Sequence, residues 1–209
     1  MDAGIQCRDV TRIIFASDDD DLLEIVDSGG FDKVETYRRS DASADSECTQ
    51  MVVVGEWCER QGDSLKDGDI LVLQEATFPF TKPSDLSNAY RLLVDNNADC
   101  IRSVGARTVF AMFHDGTFIN SETIRSSKRT QNFEDEDKIW CINGCLRMAK
   151  IELWKEAYWT NQRGWIPKPN AGNLLYKMRD EPFCTADIDS ELDFLICETM
   201  MKSWNSINK

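Results

Sequence analysis

Ile70-Leu71-Val72-Leu73-Gln74-Glu75-Ala76-Thr77-Phe78-Pro79-Phe80 is the stretch whose reading decides the fold. Its first four residues are aliphatic without interruption. An extended chain here is apolar on both faces and needs cover on both, the condition of a strand inside an α/β sheet. The run stops at Gln74, and Pro83 stands where the first turn of a following helix tolerates it, behind Thr81 or Lys82. The expectation is a three-layer α/β domain with this strand near the centre of its sheet.

Outward in both directions the same alternation repeats. Further strands are expected at Arg12 to Ala16, Lys33 to Tyr37, Asp99 to Val104, Thr108 to Phe113, Gly144 to Ala149 and Asn173 to Met178. Segments of helical period lie between them: Leu22 to Val26 behind the acidic turn Asp18 to Asp21, then Met51 to Trp57, Leu86 to Leu93, Ile151 to Tyr158 and Leu192 to Met200. This order of elements predicts a mostly parallel sheet. The stretch from His114 to Asp137 is polar and lacks a period, so it is an exposed loop pair or an arm that a partner orders.

The chain of 209 residues is long enough for one domain with a sizeable core. A formal net charge of −13 excludes a broad grip on nucleic acid or anionic lipid, because the phosphate attraction would be reversed in sign. No apolar run reaches the roughly 20 residues of a membrane span, and Met1-Asp2-Ala3-Gly4 lacks the pattern of a signal peptide. The expectation is a soluble, cytoplasmic protein. The 8 cysteines are spread thinly and read as reduced, mostly buried thiols, and the Cys141/Cys145 spacing is not one that zinc sites favour.

Four clusters could carry chemistry. In Ala186-Asp187-Ile188-Asp189-Ser190-Glu191-Leu192-Asp193, extended geometry points Asp187 and Asp189 to one side, where they could hold a divalent ion together with a substrate phosphate. The same acids could merely cap the helix, with Asp189 or Ser190 accepting its free N–H groups. Leu73 to Phe80 sits at a strand end, where α/β sheets bind ligands, so Gln74 and Thr77 are placed for polar contacts unless this is an ordinary turn. Arg38-Arg39-Ser40 followed by Asp45 to Thr49 is a second strand end, or a solvated loop with a helix cap. Asn143-Gly144 enters a strand after Lys128-Arg129-Thr130-Gln131.

In this order the clusters resemble the acylneuraminate cytidylyltransferase family, which activates sialic acid and related nine-carbon sugar acids. The resemblance runs through nearly the whole chain. Thr11 to Asp19 looks like the family's second strand with its S-T-D-D ending, Arg38 to Thr49 is similar to R-P-x-x-x-x-x-D-x-x-x-T, and Leu73 to Phe80 to L-Q-x-T-S-P-L or A-T-A-P-F. Arg129-Thr130-Gln131 with Asn143-Gly144 resembles R-x-Q and the later N-G-x-x-Y. Tyr176-Lys177-Met178 and Asp187 to Asp193 are like the closing Y-x-M and D-I-D-T-E-L-D, the most specific of these motifs.

The resemblance implies a single αβα nucleotidyltransferase (Rossmann-like) domain over residues 1–209, with a dimerisation arm at about 114–142 and a homodimer. It implies that Asp187 and Asp189 are catalytic and hold Mg²⁺, that Arg38 and Thr49 face the cytosine of CTP, that Gln74 and Thr77 approach the sugar, and that Arg129 and Asn143 lie near its acid group. The reaction would transfer CMP from CTP to a nonulosonic sugar acid and release pyrophosphate. The family's first strand and its glycine- and lysine-containing triphosphate loop have no counterpart, since the sequence starts close to the second strand. Arg147 stands where the family has an aromatic, and Glu75 adds a negative charge where acids should dock. The alternatives are a non-catalytic relative that binds a nucleotide or sugar, or a remnant with neither role.

Overall fold

The computed structural model describes residues 1–45, 47–126, 128–159, 173–178 and 184–207. After a short helix α1 (Asp2–Gln6), strand β1 (Ile13–Ser17) leads through helix α2 (Asp20–Ser28) to β2 (Val34–Arg38). The two strands pair in parallel, from Ile13 opposite Val34 to Ser17 opposite Arg38. Asp19 starts α2 as the acidic turn predicts, its carboxylate accepting the N–H groups of Asp21 and Leu22 at 2.9 and 3.1 Å. A one-turn helix α3 (Asp41–Ala44) precedes α4 (Gln50–Gln61).

The second half holds β3 (Ile70–Leu73), α5 (Pro83–Asp95), β4 (Cys100–Arg107), the small α6 (Ser121–Arg125), β5 (Ile139–Lys150), α7 (Ile151–Trp159), β6 (Asn173–Lys177) and α8 (Glu191–Ile207). Pro83 opens α5 behind Lys82, whose backbone N–H donates to the fully buried Asp85 carboxylate at 2.9 Å. The four strands run in the order β3-β5-β4-β6. β5 is antiparallel to both neighbours, while β4 and β6 are parallel, so three of the four strands share one direction.

Alternation along the strands gives this sheet two apolar faces. One carries Ile101, Leu146 and Met148 under α1 and α5, with Ala3, Cys7, Leu86, Ala89 and Leu93. The other carries Cys100 and Ala149 under α4 and α7, with Val54, Trp57, Cys58 and Trp154. Ile14 and Tyr37 of the two-stranded sheet pack into this second cluster beside Leu71 and Leu73, so α4 covers both sheets. Six of the eight cysteines are buried and all are free thiols, as expected. No helix among the described residues is long and apolar enough to cross a membrane.

Two expectations fail. β3 ends its sheet, pairing only with β5 among the described residues, and β5 takes the interior position. Leu71 and Leu73 are half-buried because α4 and α7, not further strands, cover them. Thr108 to Phe113 is no sheet strand: β4 runs on to Arg107, and beyond it only a Met112–Phe118 bridge forms. The Asn120 side chain takes up the Val109 carbonyl and the Ala111 N–H at 2.9 and 3.1 Å, which closes this segment on itself as a local hairpin. Gly116 at φ 86° makes its tip, a backbone setting that costs glycine little.

The pairing of β4 with β5 contains a slip. Arg102 faces Arg147 and Val104 faces Ile142, so two steps on β4 match five on β5. The extra residues form a bulge at 143–146. The fully buried Ser103 hydroxyl holds it, accepting the Leu146 N–H at 2.9 Å and lying against the Leu146 carbonyl at 3.2 Å and the Asn143 side-chain oxygen.

Two substitutions test this packing. A Cβ at Gly55 of α4 would stand 2.1 Å from the Tyr158 ring and 2.7 Å from its Cβ on α7. Gly55→Ala should therefore destabilise the protein by about 1–3 kcal/mol through overpacking, although alanine is the better helix former by about 1 kcal/mol. A raised urea midpoint would refute the close α4–α7 contact. Ser103→Ala leaves both Leu146 backbone groups without their partner and should cost about 1–3 kcal/mol in the same titration. A loss below about 0.5 kcal/mol, the level of an ordinary surface change, would show that the hydroxyl does not hold the bulge.

Candidate functional site

The polar clusters read from the sequence gather where β3 ends and β5 bulges. α4 begins at Gln50, directly after Thr49, and the Gln50 side-chain oxygen accepts from Arg147 Nη1 at 2.5 Å. Arg147 Nη2 donates to Glu75 Oε1 at 2.7 Å, tying the start of α4 and the loop after β3 to the base of the bulge. Glu75 lies against Gly144, where a Cβ would come within 2.6 Å of its carboxylate. From the other side of that loop, the Thr77 carbonyl accepts the Ile188 N–H at 3.0 Å, which brings the segment holding Asp187 and Asp189 against Thr77.

Arg38, the last residue of β2, is exposed and ion-paired through Nε to Asp20 at 2.8 Å. With both side chains this open to solvent the pair contributes about 0–1 kcal/mol, so little holds the guanidinium there. Its neighbour Tyr37 is buried, and burial together with the Glu56 carboxylate pushes its phenol up to about 12. Thr49 is exposed, and its hydroxyl makes no capping bond to α4. Gln74 and Thr77 are half-buried.

Asn143 is oriented by the bulge. Its side-chain oxygen accepts the Cys145 N–H at 3.2 Å, and its Nδ2 is buried with no partner among the described residues. Arg129 is exposed in the arm, where its carbonyl starts the turn Thr130–Asn132. These contacts bring Thr77 to the Asp187/Asp189 segment, while Thr49, Gln74 and Asn143 each adjoin in sequence a residue of the Gln50–Arg147–Glu75–Gly144 network; Arg38, paired with Asp20, and Arg129, in the arm, are not tied to it by any contact described above.

The capping question at α8 has a geometric answer. Ser190 Oγ accepts the Asp193 N–H at 3.3 Å and donates to its carboxylate at 2.6 Å, so Ser190 does the capping. Asp187 Oδ1 is buried with no partner among the described residues, and Asp189 is exposed. A buried carboxylate oxygen without a partner among the described residues, two positions before a second, exposed carboxylate, suits Mg²⁺, which takes one or two protein carboxylates and completes its shell with waters and substrate phosphate. Among the described residues no group of three or more His, Cys, Asp or Glu gathers into a closed metal cage.

Glu75, Gln50 and the Arg147 pairing are the elements that sequence reasoning missed as a unit. Burial pushes the Arg147 guanidinium below its ordinary value, Glu75 works against that shift, and Arg102 across the ladder adds to it. The only signal in the sequence was the pair of charges at Glu75 and Arg147 in unexpected positions. Two cavities, of about 290 Å³ between α4 and α7 and about 480 Å³ in the arm, are lined by none of the cleft residues named above.

No protein-family model and no curated protein matches the chain by sequence. Solved structures do match by shape. A 4-diphosphocytidyl-2C-methyl-D-erythritol synthase from Anaerococcus prevotii superposes with a TM-score of 0.65 at 11% identity, over 96% of this chain and 83% of that one. A CMP:2-keto-3-deoxy-manno-octonic acid synthetase complexed with CTP gives 0.61 at 10% identity, over 97% and 85%. The bifunctional IspDF from Campylobacter jejuni gives 0.53 at 12% identity, over 90% of this chain and 42% of that one. At such identities the likeness is one of architecture: the chain has the nucleotidyltransferase-type αβα fold that these cytidylyltransferases share.

Proposed function

We propose that the chain is a cytidylyltransferase that transfers CMP from CTP to a sialic-acid-like nonulosonic sugar acid and releases pyrophosphate. The observation that carries this reading is the meeting of the Asp187/Asp189 segment with the Thr77 loop through the Ile188–Thr77 bond, in a segment where one buried Asp187 oxygen has no partner among the described residues. The fold's likeness to a synthetase complexed with CTP supports the nucleotide. The anomeric hydroxyl attacks the α-phosphorus, a new O–P bond forms, the bond to the β-phosphate oxygen breaks, and the hydroxyl proton leaves to solvent.

In this reading Arg38 and Thr49 meet the cytosine, Gln74 and Thr77 the sugar hydroxyls, and Asn143 the sugar acid through its partnerless Nδ2. Asp187 and Asp189 hold Mg²⁺, which would neutralise phosphate charge when bound. The rest of the work is alignment by residues fixed on strands and on the bulge. A second reading, a nucleotide- or sugar-binding subunit without catalysis, draws on the Arg147–Glu75 pair, because that cation is already neutralised.

The cytoplasm and a homodimer belong to the same proposal. In the arm of about 114–142 and its root, Met112, Phe113, Phe118 and Ile119 expose from 42 to 56% of their surface, a patch that a second copy would cover.

Pyrophosphate release from CTP with a panel of nonulosonic acids tests the reaction. Asp189→Asn should lower the rate by about 100-fold or more, as expected when several kcal/mol of charge stabilisation are lost, and should abolish the Mg²⁺ dependence of CTP binding while the urea midpoint stays put. No release with any acid, but tight CMP binding in calorimetry, would favour the binding subunit. For the arm, light scattering should give a dimer that Phe118→Asp converts to monomer; a monomeric wild type would count against the dimer.

A further inference from the structure

We infer that Glu75 is a built-in occupant of an anion subsite whose cation is Arg147, and that it sets which acceptors the cleft takes: a carboxylate reaches Arg147 only by exchange against Glu75. The inference rests on the reading of an acidic acceptor given above.

Arg147 stands at the base of the β5 bulge with only 17% of its side chain exposed, and Glu75 with 20%. The two meet at 2.7 Å, and Gln50 takes the other terminal nitrogen at 2.5 Å. A guanidinium offers a planar fork suited to two-point capture of a carboxylate or phosphate. Here an internal carboxylate sits on one arm of that fork and an amide on the other. The seat is shaped for it, because Glu75 fills the space beside Gly144 that any side chain would block, with its oxygens 2.6 and 2.8 Å from where a Cβ would stand. Arg102 lies opposite Arg147 in the ladder and adds positive charge.

The position matters as much as the pair. Asn143, next to Gly144, has its Nδ2 buried without a partner among the described residues, and Thr77, two residues after Glu75, is bound to the Asp187/Asp189 segment. An acid that approaches Arg147 from the Gly144 side meets Glu75 first, because Glu75 fills the space there. Removing one partner of a half-buried ion pair leaves the other charge poorly solvated and ready for a replacement anion. Neutralising Glu75 therefore creates affinity for an external carboxylate instead of only weakening the fold.

The probe is N-acetylneuraminate, titrated by calorimetry without nucleotide, with its uncharged methyl ester as control. Wild type should bind the acid weakly. Glu75→Gln should bind it about tenfold tighter, in a salt-dependent manner, as expected when a charge-assisted hydrogen bond becomes available, with the ester unchanged. Arg147→Met on top of Glu75→Gln should return the affinity to wild type. Should Glu75→Gln not fold, Glu75→Asp, which withdraws the carboxylate by one methylene, carries the test with a gain of about threefold. An equal affinity for the acid in wild type and variant, or an equal gain for the ester, would overturn the inference. Because no CTP and no turnover enter the measurement, a failure of pyrophosphate release leaves this result standing, and the reverse holds too.

Discussion

The buried hydroxyl of Ser103 holds together the region on which the candidate site is built. β4 and β5 cannot stay in register past Arg102, since β5 carries three residues too many, and a bulge without a partner would leave the Leu146 backbone groups buried and unsatisfied. Ser103 meets both of them and the Asn143 side chain as well. The bulge then turns Asn143 and Gly144 toward the loop after β3 and leaves Arg147 where that loop and α4 can reach it. Bulges beside functional clefts commonly re-aim side chains in this way.

Electrostatics follow from the same geometry. A chain with 24 basic and 37 acidic side chains has few cations to give to an acidic substrate. Most of the described ion pairs are exposed, such as Arg12 with Glu35 and Arg38 with Asp20, and contribute little to stability. Arg147 with Glu75 is the half-buried exception at the cleft. Its charge is largely shielded from water and lies 2.7 Å from the Glu75 carboxylate.

Packing limits how far the cleft can be rebuilt. α4 covers the two-stranded sheet and one face of the four-stranded sheet at once, through Val54, Trp57 and Cys58. It also meets α7 at Gly55, with no room for a methyl group. Because α4 begins at Gln50, any shift at Gly55 is transmitted to the residue that braces Arg147.

Local signals settled much of this protein. The aliphatic run at 70–73, the acidic turn before α2 and the proline opening α5 depend on neighbours in the chain and emerged as read. The motif order likewise pointed to Thr77, Asn143, Asp187 and Arg129; the fold draws the first three into one region and leaves Arg129 in the arm. Tertiary structure alone decided the rest. Period and hydropathy describe which face of a strand is apolar, not which strand lies beside it, so the end position of β3 and the hairpin at 108–119 were not legible. Glu75 and Arg147 lie 72 residues apart, and their pairing depends on a bulge whose staple, Ser103, carries no pattern in the sequence. A contact between residues far apart in the chain exists only once the strands are in register, and that register is set here by a single buried hydroxyl.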